Sequence, residues 1–142
     1  MNGLDDEEDE KKFEIVKCSE EYWDFVRQLR TNPLIISGFI KTNKITTHEQ
    51  REYMSKYADN YRIGLLDRIP CGYVGVVNGD IRVCTHPEYQ GQGIGKKMIS
   101  SIGKIWPHAT AKIKIENDIS LRLFKSCGFK IKYYLLEQET EL

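Results

Sequence analysis

The chain has 142 residues, a length that suits one domain able to bury its own core without disulfides. Its formal net charge of +0 gives no sign of a nucleic-acid partner, which would ordinarily call for a basic chain. Cys18, Cys71, Cys84 and Cys127 form no C-x-x-C pair, so a zinc site is not expected. With an acidic start and no apolar run of about 18 residues, the thiols point to a reducing, cytoplasmic setting rather than export or a membrane.

Asp5 to Glu10 are all acidic, and residues 1–12 read as a solvated tail before a single domain over 13–142. Phe13 to Cys18 alternates as a first strand. Ser19 can cap a helix with Tyr22, Phe25, Val26 and Leu29 on one face, ending before Pro33. Thr46 or Thr47, with Glu49 or Gln50 three residues on, marks a capping box and a second helix. Tyr61 to Leu66 and Gly72 to Val77 read as strands around an Asp67–Pro70 turn. Asn78-Gly79 is a hairpin signal, because both residues tolerate positive φ, and Ile81 to Thr85 pairs back.

After Pro87 the glycines Gly91, Gly93 and Gly95 lead into a helix with Ile94, Met98, Ile102, Ile105 and Trp106 on its apolar stripe. Ala109 to Ile115 alternates as a strand. Asn117 or Asp118 caps a last helix, Gly128 closes it, and Phe129 to Leu136 reads as a final strand. The order β-α-α-β-β-β-α-β-α-β predicts an α+β fold, a mixed sheet with helices packed on it.

Gln90-Gly91-Gln92-Gly93-Ile94-Gly95 carries the chemistry. A glycine turn ending at a helix N-terminus aims several N–H groups at one point, where the helix dipole adds positive charge; both suit a pyrophosphate. Lys96 and Lys97 follow and can meet further phosphate charge. A Walker loop fails on spacing, and a dinucleotide fingerprint fails because Lys96 stands where its third glycine belongs. The pattern (Gln/Arg)-x-x-Gly-x-(Gly/Ala) fits at Gln90, Gly93 and Gly95. Downstream, Asn117-Asp118-Ile119-Ser120 and Phe124-Lys125-Ser126-Cys127-Gly128-Phe129 supply a second segment of the same kind.

From about Gly72 to Tyr134 the sequence resembles the Gcn5-related N-acetyltransferases (GNAT). The resemblance implies a central, mostly antiparallel sheet with helices on both faces. It implies acetyl-CoA as acyl donor and acetyl transfer to an amine. Val83, Cys84 and Thr85 would pair with pantetheine along a strand edge. Gln90, Gly91, Gln92, Gly93, Ile94, Gly95 and Lys96 would hold the pyrophosphate, and Asn117 would meet the pantetheine arm while also capping its helix.

In much of the family a Tyr seven residues after the Asn protonates the leaving thiolate. Phe124 stands there and cannot donate a proton. Tyr133 and Tyr134 are the replacements on offer, against the plainer reading of strand aromatics. The candidate bases are Asp80, at the start of the strand facing the acetyl end, and His48, in the region that shapes the acceptor site. Their plainer readings are a turn residue and an exposed helix-start residue. Cys84 and Cys127 allow an acyl-cysteine route, with a small buried hydrophobe as the better-supported role.

The segment from Phe25 to Tyr57 faintly resembles acetyltransferases of nucleotide-activated amino sugars, whose phosphates would meet Arg30 or Arg51. The expected partner is therefore a small-molecule amine, with a peptide amine as the alternative acceptor. A non-catalytic CoA-binding module is the rival class, and a homodimer is compatible with either.

Overall fold

The computed structural model describes residues 11–33, 35 and 44–139; the acidic run Asp5–Glu10 lies outside them. Four strands form one antiparallel sheet in chain order: β1 (Phe13–Lys17), β2 (Tyr61–Leu66), β3 (Ile69–Val77) and β4 (Asp80–Thr85). Asn78 and Gly79 have φ of +53° and +81°, the tight Asn-Gly turn expected between β3 and β4. Asp67 and Arg68 make the β2–β3 turn with φ of +50° and +70°.

Period-two alternation splits the side chains between two cores. Tyr61, Ile63, Leu65, Tyr73, Val77 and Cys84 face α1 (Trp23–Arg30) and α2 (Thr47–Tyr57). Leu66, Val74 and Val76 face α3 (Ile94–Ile102), which buries Ile94, Met98 and Ile102 against them. Helix α4 (Asp118–Ser126) packs beside α3, with Leu123 against Gly95. The helices on both faces are those the α+β reading requires.

Local chemistry explains most boundaries. Thr46 accepts from Glu49 N at 3.1 Å while Glu49 Oε1 accepts from Thr46 N at 3.0 Å, the reciprocal box foreseen for α2. Gln50 Nε2 ties α2 to α1 through the Trp23 carbonyl at 2.9 Å. Asn117 Oδ1 caps α4 through Ser120 N at 3.1 Å, and Gly128 takes φ +92° past its end.

Four expectations need correction. Ser19 makes no side-chain cap; a 3-10 turn, Glu20–Tyr22, intervenes before α1. Helix α3 stops at Ile102, because Gly103 is a poor helix former and Trp106 N folds back to Ile102 O at 2.8 Å, leaving Ile105 exposed. Ala109–Ile115 is not a strand; it makes one parallel bridge, Thr110 to Asp80. Phe129–Leu136 is not a strand either, and Tyr133, Tyr134, Leu135 and Leu136 are at least 80% exposed. Alternation makes a strand only where a neighbour takes its N–H and C=O groups, and among the described residues neither segment has one beyond that bridge.

Candidate active site

Among the buried side chains of helix α3, Met98 meets two strand glycines. A Cβ on Gly64 would lie 3.1 Å from Met98 Sδ, and one on Gly72 would lie 2.8 Å from Met98 Cε. Met98 thus fills a hole that two glycines leave in β2 and β3. This contact sets the N-terminus of α3 beside the last residue of β4, where a Cβ on Gly95 would lie 3.7 Å from Thr85 Oγ1.

The loop between them is built from positive φ. His86 Nδ1 accepts from Glu88 N at 3.1 Å and holds a 3-10 turn, Pro87–Tyr89. Gly91 and Gly93 follow with φ of +81° and +80°, and nothing lies within 4 Å of where their Cβ atoms would stand. Gly93 is the N-cap of α3, and no side chain caps that end. Among the described residues the first-turn N–H groups of Ile94, Gly95 and Lys96 therefore have no side-chain cap, and no acidic residue stands in the turn. Ile94 offers only its backbone, since its side chain is buried. Lys96 is exposed, whereas Lys97 Nζ lies 5.3 Å over the Phe13 ring. This arrangement fits a pyrophosphate.

Strand β4 supplies a free edge running into that loop. Ile81 N donates to Thr110 O at 2.8 Å, and Thr110 N donates to Gly79 O at 2.9 Å. Cys84 and Arg82 are in register with Tyr73 and Gly75 of β3. Alternation then turns the N–H and C=O of Val83 and Thr85 to the outer edge, with Ile81 N. Gln90 Nε2 reaches the Thr85 carbonyl there at 3.3 Å. Beyond the Asp80–Thr110 bridge, no strand among the described residues pairs with this edge. Such an edge is a template for an extended ligand.

Residues 57–131, more than half of the chain, match the family described as acetyltransferase (GNAT) domain. The chain belongs to that family. Its fold superposes on a domain from Methanocaldococcus jannaschii DSM 2661 with TM-score 0.72 at 24% identity, covering 85% of this chain and 90% of that one. It superposes on the spermidine N-acetyltransferase of Vibrio cholerae, solved with CoA and spermine, with TM-score 0.71 at 19% identity, covering 89% and 85%. For the ribosomal-protein-alanine N-acetyltransferase of Brucella melitensis the values are 0.69, 14%, 82% and 84%. No curated protein sequence matches the chain.

The GNAT domain brings some predicted residues together and separates others. Asn117 spends its side-chain oxygen on the α4 cap, and its amide nitrogen has no hydrogen-bond partner among the described residues. Phe124 is buried, edge-on to Phe129 at 5.1 Å between ring centroids. Tyr133 and Tyr134 stand out in solvent. Asp80 sits at the bridge where the β4 edge opens, 3.5 Å from Lys112 Nζ. His48 is 81% exposed on the first turn of α2, 3.1 Å from Glu52. Arg51 is taken by Glu20 at 2.5 Å on the surface.

The thiols are poor nucleophiles or distant ones. Burial pushes the Cys84 thiol up to about 12. Cys127 lines a cleft of about 350 Å³ with Ile99 and Ile102, near the C-terminal end of α3. That is roughly 12 Å of helix from the glycine loop. Among the described residues no cluster could hold a metal ion, and no helix is long and apolar enough to cross a membrane. Sequence reading passed over Tyr61, Tyr73 and Arg82. Their only signal is strand parity, which puts Arg82 on the same face as Cys84 and the two tyrosines.

Proposed function

We propose that this chain is an acetyl-CoA-dependent N-acetyltransferase that acetylates a primary amine on a small molecule, with an amino-sugar nucleotide as the favoured acceptor. Residues 13–142 are its catalytic domain, 1–12 an acidic tail, and the cytoplasm its compartment. The observation that carries the reading is the unpaired β4 edge running straight into an uncapped, glycine-built helix N-terminus. An anion at one end of an extended chain needs both features, and a Gly-rich turn with no ligand needs neither.

In this reading the backbone of Gly91 to Lys96 holds the pyrophosphate, and Val83 to Thr85 hold pantetheine by main-chain hydrogen bonds. Asn117 adds its amide nitrogen, its oxygen being held by the Ser120 N–H. Acetyl-CoA supplies the activated acyl group. An N–H on the β4 edge polarises the acyl carbonyl oxygen. Asp80, at the closed end of the edge and on the α1/α2 face, accepts the proton that the amine must lose. His48 is the weaker candidate, because its ring is in solvent and already faces Glu52. Tyr133 and Tyr134 stand in solvent and no other described side chain takes the place of the family tyrosine at Phe124, so in this reading water returns a proton to the departing thiolate.

Acetyl transfer compared across an amino-sugar nucleotide, a peptide α-amine and a free polyamine tests the acceptor. Preference for the first is expected. Preference for a peptide amine would defeat the sugar reading and leave the acetyltransferase intact. Absence of turnover with all three would favour a non-catalytic CoA-binding module.

A further inference from the structure

Two arginines on the α1/α2 face make no ion pair among the described residues. Arg30, at the end of α1, lies over the Tyr53 ring, 5.7 Å from its centroid. Tyr53 and Tyr61 share a hydroxyl hydrogen bond of 2.8 Å, and the Tyr61 and Tyr73 rings are 5.9 Å apart. Arg82 stands on the same sheet face in β4. Tyr61, Gly75 and Arg82 form one row across three strands. Gly75 carries no side chain, and its Cβ would stand 2.8 Å from the Tyr61 ring, so that ring lies over Gly75 in the direction of Arg82.

Burial raises the Tyr61 and Tyr73 phenols, and Arg30 and Arg82 are the two cations close enough to oppose that for both. Arg30 reaches this face over Tyr53, whose hydroxyl bonds that of Tyr61, and Arg82 reaches it from the row that holds Tyr61. Neither makes an ion pair with a carboxylate among the described residues. The nearest acid on that face of β4, Asp80, pairs with Lys112. Unlike Arg27 and Arg51, which are bound to Asp24 and Glu20, these two meet no carboxylate among the described residues and lie on the face of the buried phenols.

We propose that Arg30 and Arg82 form a binding site for an anionic group, phosphate or carboxylate, on the amine acceptor; the proposal rests on the acetyltransferase reading above. Planar guanidinium forks suit such groups, and a site at β4 places the anion on the face from which the acceptor amine meets Asp80. Tyr53 and Tyr61 then serve as a rigid floor that keeps Arg30 in place.

Two matched pairs of amines test it: glucosamine 6-phosphate against glucosamine, and 4-aminobutyrate against butylamine. In the wild-type protein at least one charged member should have a KM about tenfold or more below its neutral partner, with kcat less affected. Which pair shows the gap tells phosphate from carboxylate. In Arg30→Gln and Arg82→Gln that gap should shrink to about twofold or less, Arg82→Lys should keep part of it, and Lys56→Gln should keep all of it. The thermal shift produced by acetyl-CoA should persist in every variant, which shows them folded and the donor site intact. Equal KM within both pairs, or a gap that survives both Gln variants, would overturn the anion site alone. No turnover of any of the four amines despite an acetyl-CoA shift would overturn the anion site together with the acetyltransferase reading it rests on. Absence of the acetyl-CoA shift in the wild type would overturn the parent reading instead.

Discussion

Gly72 and Met98 are matched: a single added methyl on Gly72 would stand 2.8 Å from the Met98 Cε and 2.6 Å from the Cys84 carbonyl oxygen. The first neighbour is flexible and the second is backbone. Gly72→Ala must therefore push β3 and β4 apart or lift α3. A loss of about 2–3 kcal/mol is expected, read as a lower urea midpoint. Because the same contact seats α3 beside Thr85, the acetyl-CoA response should weaken too. A variant as stable as the wild type would show that α3 does not rest on this glycine.

Gly93 and Gly79 separate binding from backbone strain. Both sit near φ +80° with open space where a Cβ would be. Alanine at either should cost about 1 kcal/mol for conformation alone. Only Gly93 lies at the α3 N-terminus. Gly93→Ala should lose most of the thermal shift with acetyl-CoA, and Gly79→Ala should keep it. Equal responses in the two variants would remove the pyrophosphate from this loop.

Much of this was legible in the sequence because its causes are local. Asn78-Gly79 dictates its own turn, and Thr46 with Glu49 dictates its own cap. The loop from Gln90 to Gly95 likewise needs only glycines and a following helix. What was not legible depends on partners distant in the chain. Ala109–Ile115 and Phe129–Leu136 alternate like strands, yet pairing decides whether a strand forms. Arg82 stands among strand residues, Ile81 and Val83, and nothing in its local sequence hints at Arg30, which lies at the end of α1 over the Tyr53 ring. The standing of Phe124 was half legible: its chemistry was plain, its burial against Phe129 was not.

That burial changes what a tyrosine there should do. Sequence alone suggests that Phe124→Tyr would be tolerated and would preserve or raise turnover. In a site only 5% exposed, a new hydroxyl without a partner should cost about 1–3 kcal/mol. The expected result is a lower melting temperature with acetyl transfer still measurable. A large gain in turnover at unchanged stability would mean that the hydroxyl finds the reacting thiolate after all.

The buried thiols set a limit at high pH. Desolvation raises Cys18 from 9.0 to about 11 and Cys84 to about 12. Both are neutral when protonated, so the folded chain holds protons that the unfolded chain releases above about pH 9. Their contribution is complete below pH 9 and is lost as pH rises toward 11 and 12. Stability at pH 10 should be lower than at pH 8 by about 1 kcal/mol per buried thiol, read from urea midpoints. A flat or rising midpoint across that range would contradict this. Cys84 should also resist alkylation in the folded protein at pH 8.

Asp80 and His48 divide cleanly. Asp80→Asn breaks only a partly exposed pair with Lys112, so stability should change by less than about 1 kcal/mol while kcat falls about 100-fold. His48→Ala should leave kcat within about twofold. The reverse pattern would move the base to α2.

The most direct measurement is transfer of a labelled acetyl group. The protein is mixed with carbon-13 acetyl-CoA and the three acceptor types, and free CoA and acceptor masses are followed together. The account predicts label on an amine nitrogen of a small acceptor, one CoA released per label transferred, and no label retained on the protein. Label held on Cys84, or a folded protein that releases no CoA with any amine, would contradict it.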